Sequence, residues 1–214
     1  MRTRVKICGF TRADDAVAAA RMGADAIGLV FYPPSPRNLA VEQAAKIVAA
    51  LPAFVTVVGL FVDGQASQIH QVLQQVPIDC LQFHGDEPPE ACRLYGKPYI
   101  KALRVQADTD IKAYAQRYFD AAGLLLDAYQ ANEKGGTGQA FDWTWIPKQC
   151  ALPIILAGGL RVDNAKLAVT TVAPYALDVS SGVEIAKGVK DAVKIKAFLT
   201  AVNDADREKN DRKI

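Results

Sequence analysis

The sequence predicts an α/β protein folded as a closed (β/α)8 barrel, on three observations. Apolar strand-like runs alternate with helix-like patterns eight times. Most of the runs are apolar on both faces, which calls for a parallel sheet covered by helices. The 214 residues accommodate eight such units near the lower size limit of the barrel. The alternative is an open doubly wound sheet. That fold usually carries a Gly-x-Gly-x-x-Gly turn after its first strand, and Cys8-Gly9-Phe10 is not one.

Each unit has a local reason. Val5–Ile7 is the first run; an alanine-rich helix over Asp14–Met22 follows, and Gly23 stops it. Ala26–Phe31 is the second run. After a proline-rich loop, Val41, Ala44, Ala45 and Val48 recur at helical spacing. Val55–Val62 precedes a stripe of Ile69, Val72, Leu73 and Val76, with His70 off the stripe as a solvated residue. Cys80–Phe83 ends at His84-Gly85-Asp86, and a short helix covers Pro88–Leu94. Tyr99–Leu103 is followed by a helix marked by Ile111, Tyr114, Ala115 and Tyr118. Gly123–Asp127 leads into a polar loop, then a short helix around Trp143–Lys148. Ile154–Ala157 precedes a helix marked by Val162, Ala165, Val169 and Val172. Ala176–Val179 precedes the last helix, expected to bury Ala192, Ile195, Leu199 and Val202. Residues 1–214 make one domain, with 203–214 a polar, charge-balanced tail expected to fray.

Composition narrows the function. A net charge of +2 gives no reason to expect nucleic acid or an anionic membrane as partner. No apolar run approaches the roughly 18 residues of a membrane span. The start, Met1-Arg2-Thr3-Arg4, has no signal h-region, so a soluble cytoplasmic protein is expected. Cys8, Cys80, Cys92 and Cys150 fit no zinc spacing and read as reduced thiols. With only His70 and His84 present, a multi-histidine metal site is not expected. Neither a monomer nor a homodimer is favoured.

In a barrel the chemistry gathers at the carboxyl ends of the strands. Those ends supply Cys8, the Arg37 loop, Asp63, His84, Arg104, Asp127, Gly158-Gly159 and Ser180-Ser181-Gly182. Cys8 is a candidate base or nucleophile, or a small buried apolar residue. Asp127 closes a run of three leucines and is a candidate general acid, or else a cap or loop salt bridge. A base on the first strand and an acid on the sixth face each other across the mouth, which suits an isomerisation by proton shuttling. Arg37, in a loop stiffened by prolines, suits a carboxylate or phosphate, or lies on the surface. His84 is either a polar wall of the site or a satisfied structural histidine. Gly158, Gly159 and Gly182 let backbone N–H groups approach an oxyanion, and Ser180 and Ser181 add hydroxyls; a phosphate grip is the expectation. Gly135-Gly136-Thr137-Gly138 lacks the Gly-Lys-Ser/Thr ending of a P-loop and reads as a flap over the site.

Taken in order, several segments resemble the phosphoribosylanthranilate isomerase family. They are Lys6-Ile7-Cys8-Gly9, Ser35-Pro36-Arg37, Gln82-Phe83-His84-Gly85, Leu126-Asp127, Gly135–Gly138 with Phe141-Asp142-Trp143, Ala157-Gly158-Gly159-Leu160 and Asp178-Val179-Ser180-Ser181-Gly182-Val183-Glu184. The resemblance runs from residue 5 to about residue 200. It implies a barrel enzyme of tryptophan biosynthesis, without metal or organic cofactor, acting on a small phosphorylated substrate by an Amadori rearrangement. It implies Asp127 as the acid that protonates the furanose oxygen and Cys8 as the base at the sugar C2′. It further implies Arg37 at the anthranilate carboxylate, and Gly158, Gly159, Ser181 and Gly182 at the phosphate. One departure is Lys187, where the family commonly has proline; it is expected to loosen a loop near the phosphate. Two alternatives stand beside this reading. One is a sister sugar-phosphate enzyme, such as a synthase using a lysine pair, for which Lys6 and Lys101 are the candidates. The other is a catalytically silent phosphate-binding barrel.

Overall fold

A computed structural model describes residues 2–128 and 142–211. Eight parallel strands close into a barrel in chain order: β1 (Arg4–Cys8), β2 (Ala26–Val30), β3 (Thr56–Phe61), β4 (Cys80–Phe83), β5 (Tyr99–Val105), β6 (Gly123–Ala128), β7 (Ile154–Leu156) and β8 (Ala176–Val179). The seam pairs β1 with β8, with Lys6 opposite Asp178. The described helices are α1 (Ala13–Arg21), α2 (Val41–Ala50), α3 (Ala66–Gln75), α4 (Pro89–Cys92), α5 (Ile111–Arg117), α6 (Val162–Val172) and α7 (Ala192–Asp211). An added hairpin, β9 (Glu184–Ala186) with β10 (Val189–Lys190), stands between β8 and α7.

Strand alternation divides the buried residues into two sets. One residue in two faces the helices, building a continuous layer that includes Val5, Ile27, Phe61, Leu124 and Leu177. The other set fills the barrel with Val58, Cys80, Ile100, Ala102, Leu125, Ile155 and Ala176. Above that apolar plug the same inward rows carry Lys6, Gln82, Asp127 and Asp178, all buried. The plug supports a polar floor, and the floor lies beneath the mouth.

Helix ends follow their sequence signals. Gly23 adopts φ +105° after α1. Its N–H donates to the Ala20 carbonyl and the Ala24 N–H to that of Ala19, the paired bonds of a Schellman stop. In α3, Ile69, Val72 and Val76 are buried as expected, while His70 is exposed against the Tyr95 ring. In α2 the stripe turns toward Ala44 and Ile47, leaving Val41, Ala45 and Val48 half-buried at its flanks.

Two expectations change. The helix expected around Trp143–Lys148 is a single 3-10 turn, Trp143–Trp145, started by Asp142, whose carboxylate accepts from the Thr144 N–H. The chain from Asn203 does not fray up to Asp211, because it continues α7. Ala205 and Asp206 are buried on the same face as Phe198 and Val202, and Ala192 is exposed instead. The Asp206 carboxylate accepts from the Thr3 N–H at 2.5 Å and from the Thr3 hydroxyl at 2.9 Å. A polar stretch thus stays ordered because one of its acids caps the start of the first strand. Asp206→Ala leaves these buried donors unpaired and is expected to cost about 1–3 kcal/mol in urea-induced unfolding. An unchanged midpoint would show that the clasp contributes nothing.

Candidate active site

β1 places Cys8 at the mouth, on the same inward row as Lys6. Its neighbour on β2 is Gly28, and a Cβ at that position would come within 2.8 Å of the Cys8 sulfur. Glycine is therefore needed beside the thiol. The Cys8 carbonyl accepts from Ser180 Oγ at 2.9 Å and from Lys190 Nζ at 2.5 Å. Beneath it, Lys6 Nζ pairs with Asp178 Oδ2 at 2.8 Å. Burial pushes the Cys8 thiol above its ordinary value; Lys6 and Lys190 pull it down, and Asp178 pushes it up. Burial also opposes the Lys6 ammonium, but Asp178 and Cys8 hold its pKa above the usual lysine value.

Asp127 ends β6 inside the mouth, in register with Arg104 of β5. Its Oδ1 accepts from the Ala128 N–H at 2.9 Å. Its Oδ2 lies 3.2 Å from His84 Nε2, while His84 Nδ1 lies 2.9 Å from Gln82 Nε2. Gln82 donates through its amide, so Nδ1 accepts and Nε2 carries the proton toward Asp127. His84 thus links Gln82 to the Asp127 carboxylate.

Arg37 is 8% exposed, not a surface arginine. Its Nε and Nη2 donate to the two oxygens of Glu184 at 2.8 and 2.7 Å. Gly9, with φ +81°, leaves the room that the Arg37 stem occupies. Lys190 Nζ donates to Glu184 Oε1 at 2.7 Å. Burial opposes the Glu184 carboxylate, but Arg37 and Lys190 hold its pKa below the ordinary value. Burial draws Lys190 below the usual lysine value while Glu184 draws it back.

Beyond β7, Gly158 and Gly159 take φ +77° and +64°. A Cβ on Gly158 would lie 2.5 Å from the Ala128 nitrogen and 2.8 Å from Asp127 Oδ1. One on Gly182 would strike the Leu160 carbonyl. These loops are packed so closely that only backbone fits between them. Asn164 donates to the Gly159 carbonyl at 2.9 Å and ties the first loop to α6. Ser181 and Gly182 open a 3-10 turn after β8, whereas the Ser180 hydroxyl is turned to Cys8.

The rim thus brings together Cys8, Arg37, His84, Asp127 and the glycine and serine loops. The sequence reading gave no role to Asp178, Glu184 or Lys190. Asp178 was detectable, since it interrupts an apolar strand on the row of Ser180. Glu184 and Lys190 carry no periodic signal. Lys187 is exposed in the hairpin turn beside Gly188. The Gly188 carbonyl accepts from Thr11 at 2.5 Å, which ties the hairpin to the loop after β1. Lys101 faces the helix layer, donating to Glu87 Oε2 and the Gly85 carbonyl, both at 2.7 Å. It does not pair with the inward Lys6. The Gly135–Gly138 cluster lies outside the described residues. Among the described residues, no group of three or more His, Cys, Asp and Glu is arranged to hold a metal.

The fold and its rim define a (β/α)8-barrel enzyme. The model of the N-(5′-phosphoribosyl)anthranilate isomerase family matches residues 5–201. The chain is 58% identical over 203 residues to the N-(5′-phosphoribosyl)anthranilate isomerase of Nitrosococcus oceani, covering 95% of this chain and 98% of that one. The crystal structure of phosphoribosyl anthranilate isomerase from Thermotoga maritima superposes with a TM-score of 0.87 at 39% identity, over 94% of this chain and 99% of that one. A phosphoribosyl anthranilate isomerase crystallised with reduced 1-(o-carboxyphenylamino)-1-deoxyribulose 5-phosphate gives a TM-score of 0.84 at 38% identity, over the same shares. The chain belongs to the phosphoribosylanthranilate isomerase family and is an isomerase of tryptophan biosynthesis.

The Cys8 environment makes a checkable statement. In an ultraviolet titration, the thiolate absorbance that Cys8→Ala removes is expected to appear above the ordinary thiol value of 9.0. Its appearance well below that value would mean that the two lysines outweigh burial.

Proposed function

We propose that Cys8 and Asp127 are the base and the acid of the Amadori rearrangement, with Arg37 and the β7 and β8 loops holding the two ends of the substrate. The observation that carries this is the placement of one thiol and one carboxyl on opposite strands of a single mouth, each with its own support. Asp127 in its protonated form gives its proton to the furanose oxygen. The ring C1′–O bond breaks as the anthranilate nitrogen forms a protonated Schiff base. The Cys8 thiolate takes the proton from C2′, and the C2′–H electrons move into a C1′–C2′ double bond. The resulting enolamine tautomerises to the ketone at C2′. One proton leaves Asp127 and one arrives on Cys8, so the pair returns to its starting state once these exchange with water.

Each remaining role rests on a contact. Arg37 meets the anthranilate carboxylate with the edge that Glu184 does not use. The Gly158, Gly159, Ser181 and Gly182 backbone groups take the phosphate, as closely packed N–H donors do. Ser180 holds the Cys8 backbone, and His84 orients Asp127. Four free cysteines support a cytoplasmic location. A monomer or a homodimer both accommodate this chemistry, since every proposed residue comes from one chain.

Cys8→Ala and Asp127→Asn are each expected to lower kcat by about 10²–10⁴-fold, with little change in unfolding midpoint, in a fluorescence assay of substrate consumption. A Cys8→Ala enzyme with unchanged turnover would remove the assignment of the base. The sign of the pH dependence follows from the buried thiol. The thiolate is the active form and its pKa is raised, so in Asp127→Asn, where the acid no longer titrates, the residual kcat/KM should climb with pH through the ordinary thiol range. A profile that is flat there would exclude Cys8 as the titrating base. No step calls on a metal, and a chelator is expected to leave the rate unchanged.

A further inference from the structure

Glu184 and Lys190 have no part in the chemistry, yet both are buried at the mouth. They form one network with Arg37. Glu184 grips the guanidinium through Nε and Nη2, a fork-to-fork pair that fixes its plane. Nη1 donates to none of the described residues. Lys190 donates at once to Glu184 Oε1 and to the Cys8 carbonyl. The Gly188 N–H, at 3.3 Å, donates to the same Glu184 oxygen, and Lys194 Nζ caps the Glu184 carbonyl at 2.8 Å. A single rigid bridge therefore runs from the backbone of Cys8 through Lys190 and Glu184 to the guanidinium. Two cations share one anion, which leaves one positive charge in a nearly dry pocket. An unbalanced buried charge is costly unless a ligand completes it.

We propose that Glu184 is a positioning residue for substrate selection: it locks Arg37 so that Nη1 presents to an aromatic carboxylate at a fixed distance from Cys8, and the carboxylate balances the remaining charge. This rests on the reading that Arg37 meets the substrate carboxylate. Glu184 touches neither the reacting atoms nor the carboxylate. Its effect passes through Arg37, and misplacing a reacting group by about 1 Å can cost about 10²-fold.

The test separates this role from a merely structural one by comparing two substrates. One is N-(5-phosphoribosyl)anthranilate; the other is the analogue formed from ribose 5-phosphate and aniline, which lacks the carboxylate. Glu184→Gln keeps the size and loses the charge. It acts on both substrates through Lys190 and Cys8, but the drop in kcat/KM is expected to be about 10- to 100-fold larger for the anthranilate substrate than for the aniline analogue. Arg37→Met is the control on the underlying reading. If it reduced both substrates equally, Arg37 would not be the carboxylate site, and that reading would fail. If Arg37→Met were selective while Glu184→Gln reduced both substrates equally or neither, only the positioning role would be overturned. Should Glu184→Gln not fold, Arg37→Lys serves the same purpose: it retains the charge but has no fork for Glu184 to hold. It is expected to lose the preference for the carboxylate substrate, and a retained preference would overturn the proposal.

Discussion

The barrel closes between β1 and β8, and at that seam Lys6 and Asp178 stand opposite each other and pair inside the ring. The pair joins the first strand to the last and lies below Cys8. A slip of one residue along either strand would turn its member of the pair out of the barrel and leave the other unpaired, so the closed register and the buried pair require each other. Such a pair adds little net stability, because desolvation consumes most of the attraction. Breaking it by removing one partner is another matter, at about 3–5 kcal/mol. Its main contribution is therefore to fix which residues meet at the mouth. Cys8 lies two residues above Lys6, and Ser180 two above Asp178, so the bond from the Ser180 hydroxyl to the Cys8 carbonyl follows from the same register.

The architecture was legible because it is repetitive and local. Each strand is a short apolar run, each helix an amphipathic stripe, and barrel closure is the common way to bury eight such units. What was not legible depended on distant partners. Val48 and Ile47 both suit the apolar face of α2, and only the barrel surface decides that Ile47 is buried. The polar chain after Val202 offered no reason to stay helical until Asp206 met Thr3, a contact between residues 203 positions apart. The 3-10 turn at Trp143 replaces a full helix in a segment too short to complete one.

The site divides in the same way. Cys8, Asp127 and the paired glycines stand at the ends of apolar strands, where a polar or glycine residue is conspicuous. Arg37 was visible as a rigid cation, but its even balance between site and surface could not be decided from a loop. Burial removes the surface reading, and the partner that holds the guanidinium is Glu184, 147 positions away. Glu184 and Lys190 sit on a hairpin with neither strand nor helix periodicity at its centre, so no spacing marked them. Asp178 is the instructive omission. Strand parity with Ser180 placed it inside the barrel, and an unpaired acid inside a barrel demands a partner, which Lys6 on the neighbouring strand supplies.

The two halves of the proposed acid–base pair are held by separate means. Asp127 is oriented by side chains from β4, through His84 and Gln82, and by its own following N–H. Cys8 is fixed through its backbone, by Ser180 and Lys190 from beyond β8. The supports share no residue, so disturbing one should leave the other's geometry intact, and their effects on rate should combine nearly independently. The electrostatics do not separate so cleanly. Lys190 both fixes the Cys8 carbonyl and lowers its thiol pKa, while Glu184 draws on the charge of Lys190. Geometry is therefore modular, whereas charge is shared around the mouth through the residues after β8.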